Sequence, residues 1–187
     1  MATTAEIKNG LTINYNGNLV TIIEFQHVKP GKGGAFVRTK FKNIITGKVI
    51  DNTFRSGEKI EIVRLSGRDM QYLYQDDESY VFMDQENFEQ IYIPGSIVEE
   101  AAPFLKEGEI AHIQFHGEKP LTLQLPNFIN YKIVECEPGS RGDTVSNVTK
   151  AAKIESGASI QVPMFITEGE IIKVDTRTGT YVERVKS

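Results

Sequence analysis

Residues 19–42 read LVTIIEFQHVKPGKGGAFVRTKFK, two β-rich runs on either side of a short glycine-rich segment. The runs at 19–25 and 35–42 are rich in β-branched and aromatic residues, and the segment 29–34 (KPGKGG) carries the turn residues. The stretch therefore predicts a β-hairpin. Alternation in the second run places Ala35, Val37, Thr39 and Phe41 on one face, and a basic stripe on the other face: Phe36, Arg38, Lys40 and Lys42.

Lys32 lies at the tip of this predicted hairpin. Gly31, Gly33 and Gly34 surround it, and Pro30, which follows Lys29, stiffens one arm. Such a loop exposes its tip side chain and lets its backbone approach another molecule closely. A solvated turn lysine remains the alternative.

The basic stripe beside this loop offers contacts to phosphates. The charged residues that would make these contacts are Arg38, Lys40 and Lys42. A strand face that merely aids solubility remains the alternative.

The rest of the chain repeats short β-rich runs separated by turns, which predicts an all-β protein. Turn signals at 16–17 and 46–47 favour a small barrel that ends near residue 64. The middle segment predicts strands at 70–74, 80–84 and 88–93. Ser96 followed by Glu99 forms a capping-box pattern, which predicts one short helix through Ala102 that Pro103 limits.

Two short segments of the chain resemble each other. Residues 104–110 read FLKEGEI and residues 165–171 read FITEGEI, an offset of 61 residues. This echo favours two consecutive five-stranded barrels of the oligonucleotide-binding type, although so short a similarity could be coincidence.

Charge is unevenly distributed along the 187 residues. The net charge of −4 divides into +5 for residues 1–64, −9 for residues 65–128 and 0 for residues 129–187. A basic first module could meet phosphates while an acidic middle module avoids them; chance is the alternative.

The sequence gives little support to an enzyme or a metal protein. Neither a phosphate-binding Gly-x-x-x-x-Gly-Lys loop nor a Gly-x-Ser-x-Gly nucleophile turn occurs, and His112 and His116 are too far apart along a strand to chelate a metal. A single cysteine, Cys136, excludes an internal disulfide. We therefore expect no cofactor, no metal site and no catalytic residue.

No secretory signal or apolar run of about 20 residues is readable, so we expect a cytoplasmic protein without a membrane span. The tripeptide at 141–143, Arg-Gly-Asp, is too short a match to indicate cell adhesion.

The segment 29–36 (KPGKGGAF) resembles the signature loop of the elongation factor P family, which is related to the hypusine-bearing translation factor of eukaryotes and archaea. The resemblance continues through residues 70–74, 82–84 and 88–90, and through the stretches at 137–144, 162–163 and 175–185. It implies an SH3-like (KOW-like) barrel at 1–64 and two OB-fold barrels at 65–128 and 129–187, in an L-shaped, tRNA-like arrangement.

The same resemblance implies a monomeric translation factor that binds the 70S ribosome between the peptidyl and exit sites, contacts ribosomal RNA and peptidyl-tRNA, and relieves stalling at consecutive prolines. Lys32 matches the tip residue that a lysine-modifying enzyme often extends. By the same match, Gly142, Asp143 and Thr144 would lie near the exit-site codon, and Tyr181 and Arg184 near the anticodon stem.

A general single-stranded nucleic-acid-binding protein is the alternative function. Such proteins stack bases on exposed aromatic side chains within basic grooves. Here the aromatic-rich segment from Tyr72 to Tyr92 is also acidic, which favours the translation factor.

Overall fold

The computed structural model describes residues 2–137 and 148–186, in which β-strands are the main regular secondary structure. In that part of the chain there is one α-helical turn, α1 (Gly95–Val98), and there are two 3-10 segments, Thr4–Glu6 and Ala102–Phe104. The predicted all-β class is confirmed. The described strands are β1 (Ala2–Thr3), β2 (Thr12–Tyr15), β3 (Asn18–Val28), β4 (Phe36–Asn43), β5 (Val49–Arg55), β6 (Lys59–Ile62), β7 (Ser66–Asp76), β8 (Ser79–Asp84), β9 (Gln90–Pro94), β10 (Ile110–His116), β11 (Lys119–Gln124), β12 (Phe128–Cys136), β13 (Thr149–Ile154), β14 (Ser159–Pro163), β15 (Ile171–Asp175) and β16 (Thr180–Arg184).

The first sheet has six strands in the order β1-β6-β2-β3-β4-β5. Strands β3 and β4 pair antiparallel along their length, so the predicted hairpin is confirmed. Val37 and Phe41 are fully buried in the core of this sheet, whereas Arg38 and Lys42 are exposed. The predicted alternation of β4 is confirmed as well, because successive side chains of a strand point to opposite faces.

The register of β3 against β4 shifts between Ile22 and Glu24. Such an irregularity moves the following side chains to the other face. Glu24 then lies directly opposite Lys40 on the outer face of the sheet. The shift therefore brings an acidic side chain to the basic stripe.

The two remaining sheets have five strands each and the same strand order. One is ordered β11-β10-β7-β8-β9 and the other β16-β15-β12-β13-β14, so that the first strand of each segment lies at the centre of its sheet. Edge strands β14 and β16 contact each other, which closes the last sheet into a barrel.

The two similar segments, residues 104–110 and 165–171, adopt the same local structure. Gly108 and Gly169 both have a left-handed backbone, with φ of 83° and 86°. The N–H of Gly108 donates to the carbonyl of Tyr72, and the N–H of Gly169 donates to the carbonyl of Ile133, both at 2.9 Å. Tyr72 and Ile133 are themselves 61 residues apart, so the correspondence extends to the central strands β7 and β12.

The helix predicted from the capping box differs from the observed one. Helix α1 begins at Gly95 with Pro94 as its N-cap, and Ser96 lies inside the helix with no side-chain cap bond. The turn is fixed earlier because the N–H of Gly95 donates to the carbonyl of Glu78 at 2.9 Å. A Cβ on Gly95 would meet that carbonyl oxygen at 2.9 Å, so only glycine fits this approach. The predicted cap at Ser96 is wrong, and the helix is shorter than expected.

A joint of partly buried and exposed contacts connects the end of the 3-10 segment Ala102–Phe104 to the barrel of β12 to β16. The hydroxyl of Tyr131 donates to the carbonyl of Phe104, and burial raises the pKa of Tyr131. The hydroxyl of Ser156 donates to the carbonyl of Pro103 at 2.7 Å. The ring of Phe104 packs against the core of this barrel and reaches Gly179. We call this set of contacts the Phe104 joint.

Lys106 reinforces the Phe104 joint. Its ammonium donates to the carbonyl of Asn130 at 2.7 Å, pairs with Glu155 at 3.3 Å and lies over the ring of Tyr131. Glu155 also accepts a hydrogen bond from the backbone N–H of Lys132 at 3.0 Å. Hydrogen bonds, an ion pair and ring packing therefore hold this joint together.

The chain divides into two compact units, one of residues 1–67 and 114–122 and one of residues 68–113 and 123–187. The domain boundaries at residues 64 and 128 remain predictions. In the described part of the chain, none of the helical segments is long and apolar enough to cross a membrane.

Candidate functional site

The Lys32 loop, residues 29–34, projects from the end of the hairpin of β3 and β4. The last paired residues are Val28 and Phe36, and no hydrogen bond ties residues 29–34 to the rest of the described chain. The side chains of Lys29 and Lys32 are exposed, and Pro30 is half-buried. Within residues 2–137 and 148–186, the Lys32 ammonium has no ion-pair partner. The loop therefore presents this lysine to solvent at the end of two long paired strands.

The glycines of the Lys32 loop differ in what the fold requires of them. Gly33 has φ of 109°, a conformation that side chains rarely adopt, and a Cβ there would lie 3.9 Å from the Pro30 ring. Gly31 and Gly34 have no positive φ, and no atom lies within 4 Å of the position a Cβ would take. Contacts within the described chain therefore do not explain why these two positions lack a side chain.

The basic stripe is not uniformly charged. Lys40 lies between Glu24 on β3 and Asp51 on β5, and its ammonium pairs with Glu24 at 3.2 Å. Lys42, which is exposed, has no ion-pair partner in the part of the chain that the structure describes. Of the two lysines predicted to contact phosphates, Lys40 is therefore neutralised by Glu24 and Lys42 is available. Arg38 is the third residue of the prediction.

Arg38 lies in a row of the sheet without acidic neighbours. Gln26 on β3 and Thr53 on β5 are its register partners, and its guanidinium lies 5.5 Å from the centre of the Phe36 ring. Phe36 itself is opposite Arg55, an exposed arginine at the end of β5. The two arginines are thus diagonal neighbours, a relation in which long side chains of adjacent strands can meet.

A groove opens between these two arginines at the base of the Lys32 loop. Sequence reasoning missed Arg55, because only the register of β4 against β5 shows that residues 17 positions apart face the same groove. The alternation of side chains along β5 indicates only that Arg55 lies on the outer face of the sheet. It does not show which residues of β4 lie beside it. The groove is lined by Gly34, Ala35, Phe36, Arg38, Thr53, Arg55 and Ser56.

Two of the C-terminal residues predicted to contact RNA lie in the described part of the chain, and both have partners within the protein. Tyr181 is half-buried and packs against the core of its barrel. Arg184 pairs with Glu170 at 3.0 Å, and its guanidinium lies 5.8 Å from the centre of the Phe165 ring. Gly142, Asp143 and Thr144 lie outside the described residues. The roles expected of these five residues remain predictions.

Glu170 is held by the backbone as well as by the Arg184 guanidinium. The N–H of Thr167 donates to its carboxylate at 2.7 Å. This bond, with a smaller contribution from Arg184, lowers the pKa of Glu170. The carboxylate therefore stabilises the turn that precedes β15.

The acidic middle segment carries exposed aromatic rings. Tyr74 and Tyr92 are 48% and 56% exposed, and Tyr92 lines an open cleft together with Asp76, Asp77 and Glu78. These rings lie among carboxylates, which repel a phosphate backbone. Base stacking on a basic platform is therefore not what this surface offers.

His112, one of the two histidines predicted to lie too far apart to chelate a metal, has a partner within the chain. The Nδ1 atom of His112 lies 2.8 Å from the carboxylate of Asp69. Across residues 2–137 and 148–186, no group of three or more His, Cys, Asp or Glu side chains converges as a metal site.

Three family models match consecutive parts of the chain. They are described as the elongation factor P KOW-like domain at residues 3–60, the elongation factor P OB domain at residues 65–123 and the elongation factor P C-terminal domain at residues 129–184. The predicted SH3-like (KOW-like) and OB folds agree with these matches.

Curated relatives match the chain from end to end. Elongation factor P of Acidothermus cellulolyticus is 50% identical over 187 residues, which cover 100% of both chains. Elongation factor P of Clostridioides difficile is 49% identical over 185 residues, which cover 99% of this chain and 100% of the relative.

A solved structure shares the fold at low sequence identity. The translation initiation factor eif-5a family protein from Naegleria fowleri is 17% identical with a TM-score of 0.53, and the match covers 66% of this chain and 96% of that one. The likeness concerns the fold, whereas the three family models and the full-length relatives identify the sequence. The chain belongs to the elongation factor P family of translation elongation factors.

Proposed function

We propose that this translation factor binds the 70S ribosome between the peptidyl and exit sites and stimulates peptide-bond formation at consecutive prolines. Lys32 acts as the tip that positions peptidyl-tRNA. The observation that carries the proposal is the Lys32 loop, an exposed lysine without an ion-pair partner in the described chain, at the end of a long antiparallel hairpin.

The local geometry of the loop suits a probe that enters a narrow site. Gly31 and Gly34 leave open space where a side chain would stand, so another molecule can approach the backbone closely. The paired strands β3 and β4 restrain the base of the loop, while the tip remains exposed. A tip on a restrained base can hold a flexible substrate at a defined place.

Proline explains why positioning would matter. Its ring constrains the nucleophilic nitrogen and fixes φ, which restricts the geometry of the nascent chain. Holding two reactants in the correct arrangement can lower the reaction barrier substantially without any chemical group from the protein. We therefore propose a positioning factor with no catalytic residue, cofactor or metal.

Further parts of the proposal follow from the family. The chain acts as a monomer in the cytoplasm, where ribosomes work, with domains at 1–64, 65–128 and 129–187. Ribosomal RNA and peptidyl-tRNA are its partners. The exposed Lys32 is the position we propose for a lysine-modifying enzyme, since the surrounding glycines leave its side chain accessible.

Translation in a purified system tests the function. Peptide synthesis through a message with three consecutive proline codons is measured with and without this protein, beside a message in which alanine codons replace them. We expect stimulation on the proline message alone. The protein is prepared both recombinantly and from its native host, and mass spectrometry establishes the state of Lys32.

Lys32→Ala separates tip positioning from docking. Activity should fall far more than ribosome affinity, because a misplacement of about 1 Å at the reacting ends can cost about a hundredfold in rate. Stability should change by less than about 0.5 kcal/mol, since the residue is exposed. Lys29→Ala, an exposed lysine in the same loop, is the matched control. Full activity of a folded Lys32→Ala variant would remove the tip from the mechanism.

A further inference from the structure

The groove at the base of the Lys32 loop combines two guanidinium groups with two hydroxyl groups. Arg38 and Arg55 contribute the charges, and Thr53 and Ser56 contribute the hydroxyls. In the described chain neither guanidinium forms an ion pair. One acidic residue is close in sequence, Glu58, whose carboxylate accepts a hydrogen bond from the backbone N–H of Arg55 at 2.8 Å.

The rows of the sheet explain why positive charge accumulates at this end. The row of Lys40 has Glu24 and Asp51 on either side, so its charge is compensated. The two rows nearest the loop have Gln26 and Thr53 beside Arg38, and Val28 and Phe36 beside Arg55. Neither of these two rows contains a carboxylate. Glu58 lies outside them, in the turn between β5 and β6.

Guanidinium groups on adjacent strands suit one kind of ligand. Their planar forks match the oxygens of a phosphate and form paired, charge-assisted hydrogen bonds. The Phe36 ring beneath Arg38 restrains one fork, and hydroxyls can donate to the remaining oxygens. The open space at Gly34 leaves room for a polynucleotide backbone at the edge of the groove.

We propose that Arg38 and Arg55, with Thr53 and Ser56, bind a single phosphate of an RNA backbone and thereby fix the position of the Lys32 loop relative to that RNA. The groove is coupled to the loop, because the N–H of Ser56 donates to the carbonyl of Ala35 at 3.0 Å. Gly34, which lines the groove, is two residues from Lys32, so their Cα atoms lie at most about 7 Å apart. This inference rests on the proposed ribosome function.

The test measures affinity for purified 70S ribosomes across a range of salt concentrations for Arg38→Gln, Arg55→Gln and the double variant. Lys48→Gln is the matched control, since Lys48 is an exposed cation at the opposite end of the β4–β5 hairpin. Each single variant should weaken binding about tenfold, the cost of losing a charge-assisted bond to phosphate. Circular dichroism and thermal unfolding check that each variant is folded.

The double variant decides whether one phosphate or two are involved. With a shared phosphate the losses overlap, and the salt slope falls by about one unit; two separate phosphates would give additive losses and a fall of about two units. Arg55→Lys keeps the charge but loses the fork, so it should recover only part of the affinity. Additive losses, or singles no weaker than Lys48→Gln, would overturn the proposal.

Two RNA sources share this chemistry, and the ribosome preparation distinguishes them. A phosphate of tRNA makes the arginine effects depend on peptidyl-tRNA in the peptidyl site, whereas a phosphate of ribosomal RNA makes them independent of it. Failure of the parent protein to bind either preparation would refute the proposed function itself. Parent binding with unaltered arginine variants would refute only the phosphate site.

Discussion

Gly179 in the Phe104 joint provides a stability prediction with an internal control. Its φ is 67°, and a Cβ would lie 2.9 Å from the Cζ atom of the Phe104 ring. A non-glycine residue in this conformation costs about 1–2 kcal/mol. Overpacking against the ring adds about 1–3 kcal/mol, because the Phe104 ring packs against the core of the barrel and must shift to make room. Gly179→Ala should therefore destabilise the protein by about 2–5 kcal/mol.

Gly169→Ala is the matched control for the backbone cost. Gly169 lies in the same barrel with φ of 86°, and no atom is within 4 Å of its Cβ position. It should lose about 1–2 kcal/mol from the backbone alone. In a Phe104→Ala background, Gly179→Ala should cost no more than Gly169→Ala, since the opposing ring is gone.

Urea and thermal unfolding, followed by circular dichroism and tyrosine fluorescence, complete the double-mutant cycle. A coupling of about 1–3 kcal/mol is expected for Gly179 with Phe104. For a chain of this size, each kcal/mol corresponds to about 2–4 °C in the unfolding midpoint. A coupling below about 0.5 kcal/mol would mean that the ring moves aside without cost, and it would refute the overpacking expected at Gly179.

Two further predictions concern charges. Lys42→Gln should reduce the salt slope of ribosome binding by about one unit, whereas Lys40→Gln should change it less because Lys40 already pairs with Glu24; equal effects on the slope would contradict this. Glu170→Gln should lower the thermal midpoint near neutral pH. The Thr167 N–H lowers the pKa of Glu170 in the folded state, so its stabilising contribution is present above the unfolded pKa and is lost as pH falls through the folded pKa. The midpoints of parent and variant should therefore converge in acid, and a constant difference would exclude this role.

The central hairpin of the first sheet could be predicted, and so could the two faces of β4, because its side chains alternate strictly. Val37 and Phe41 are buried while Arg38 and Lys42 are exposed, as a period of two requires. The compensation of Lys40 could not be predicted, because it depends on a register shift in β3 that brings Glu24 across from it. Side-chain alternation does not reveal where a strand gains an extra residue.

The candidate site was predicted only in part for a related reason. The Lys32 loop is continuous in sequence, so its residue types indicate an exposed tip directly. Arg55 belongs to another strand, and only pairing across β4 and β5 brings it to the groove. The misplaced helix start has a tertiary cause as well, since the contact between Gly95 and the Glu78 carbonyl fixes the turn before any cap at Ser96 can form.

The two five-stranded sheets differ in how soon their central strands can find a partner during folding. Two residues separate β7 from β8, whereas twelve separate β12 from β13. Closing the longer connection costs on the order of 1–2 kcal/mol more in chain entropy. We therefore expect the hairpin of β7 and β8 to form early, within about 10 μs. Strand β12 would remain unpaired on that side for longer, and we expect it to be more exposed to wrong pairing than β7 while the chain folds.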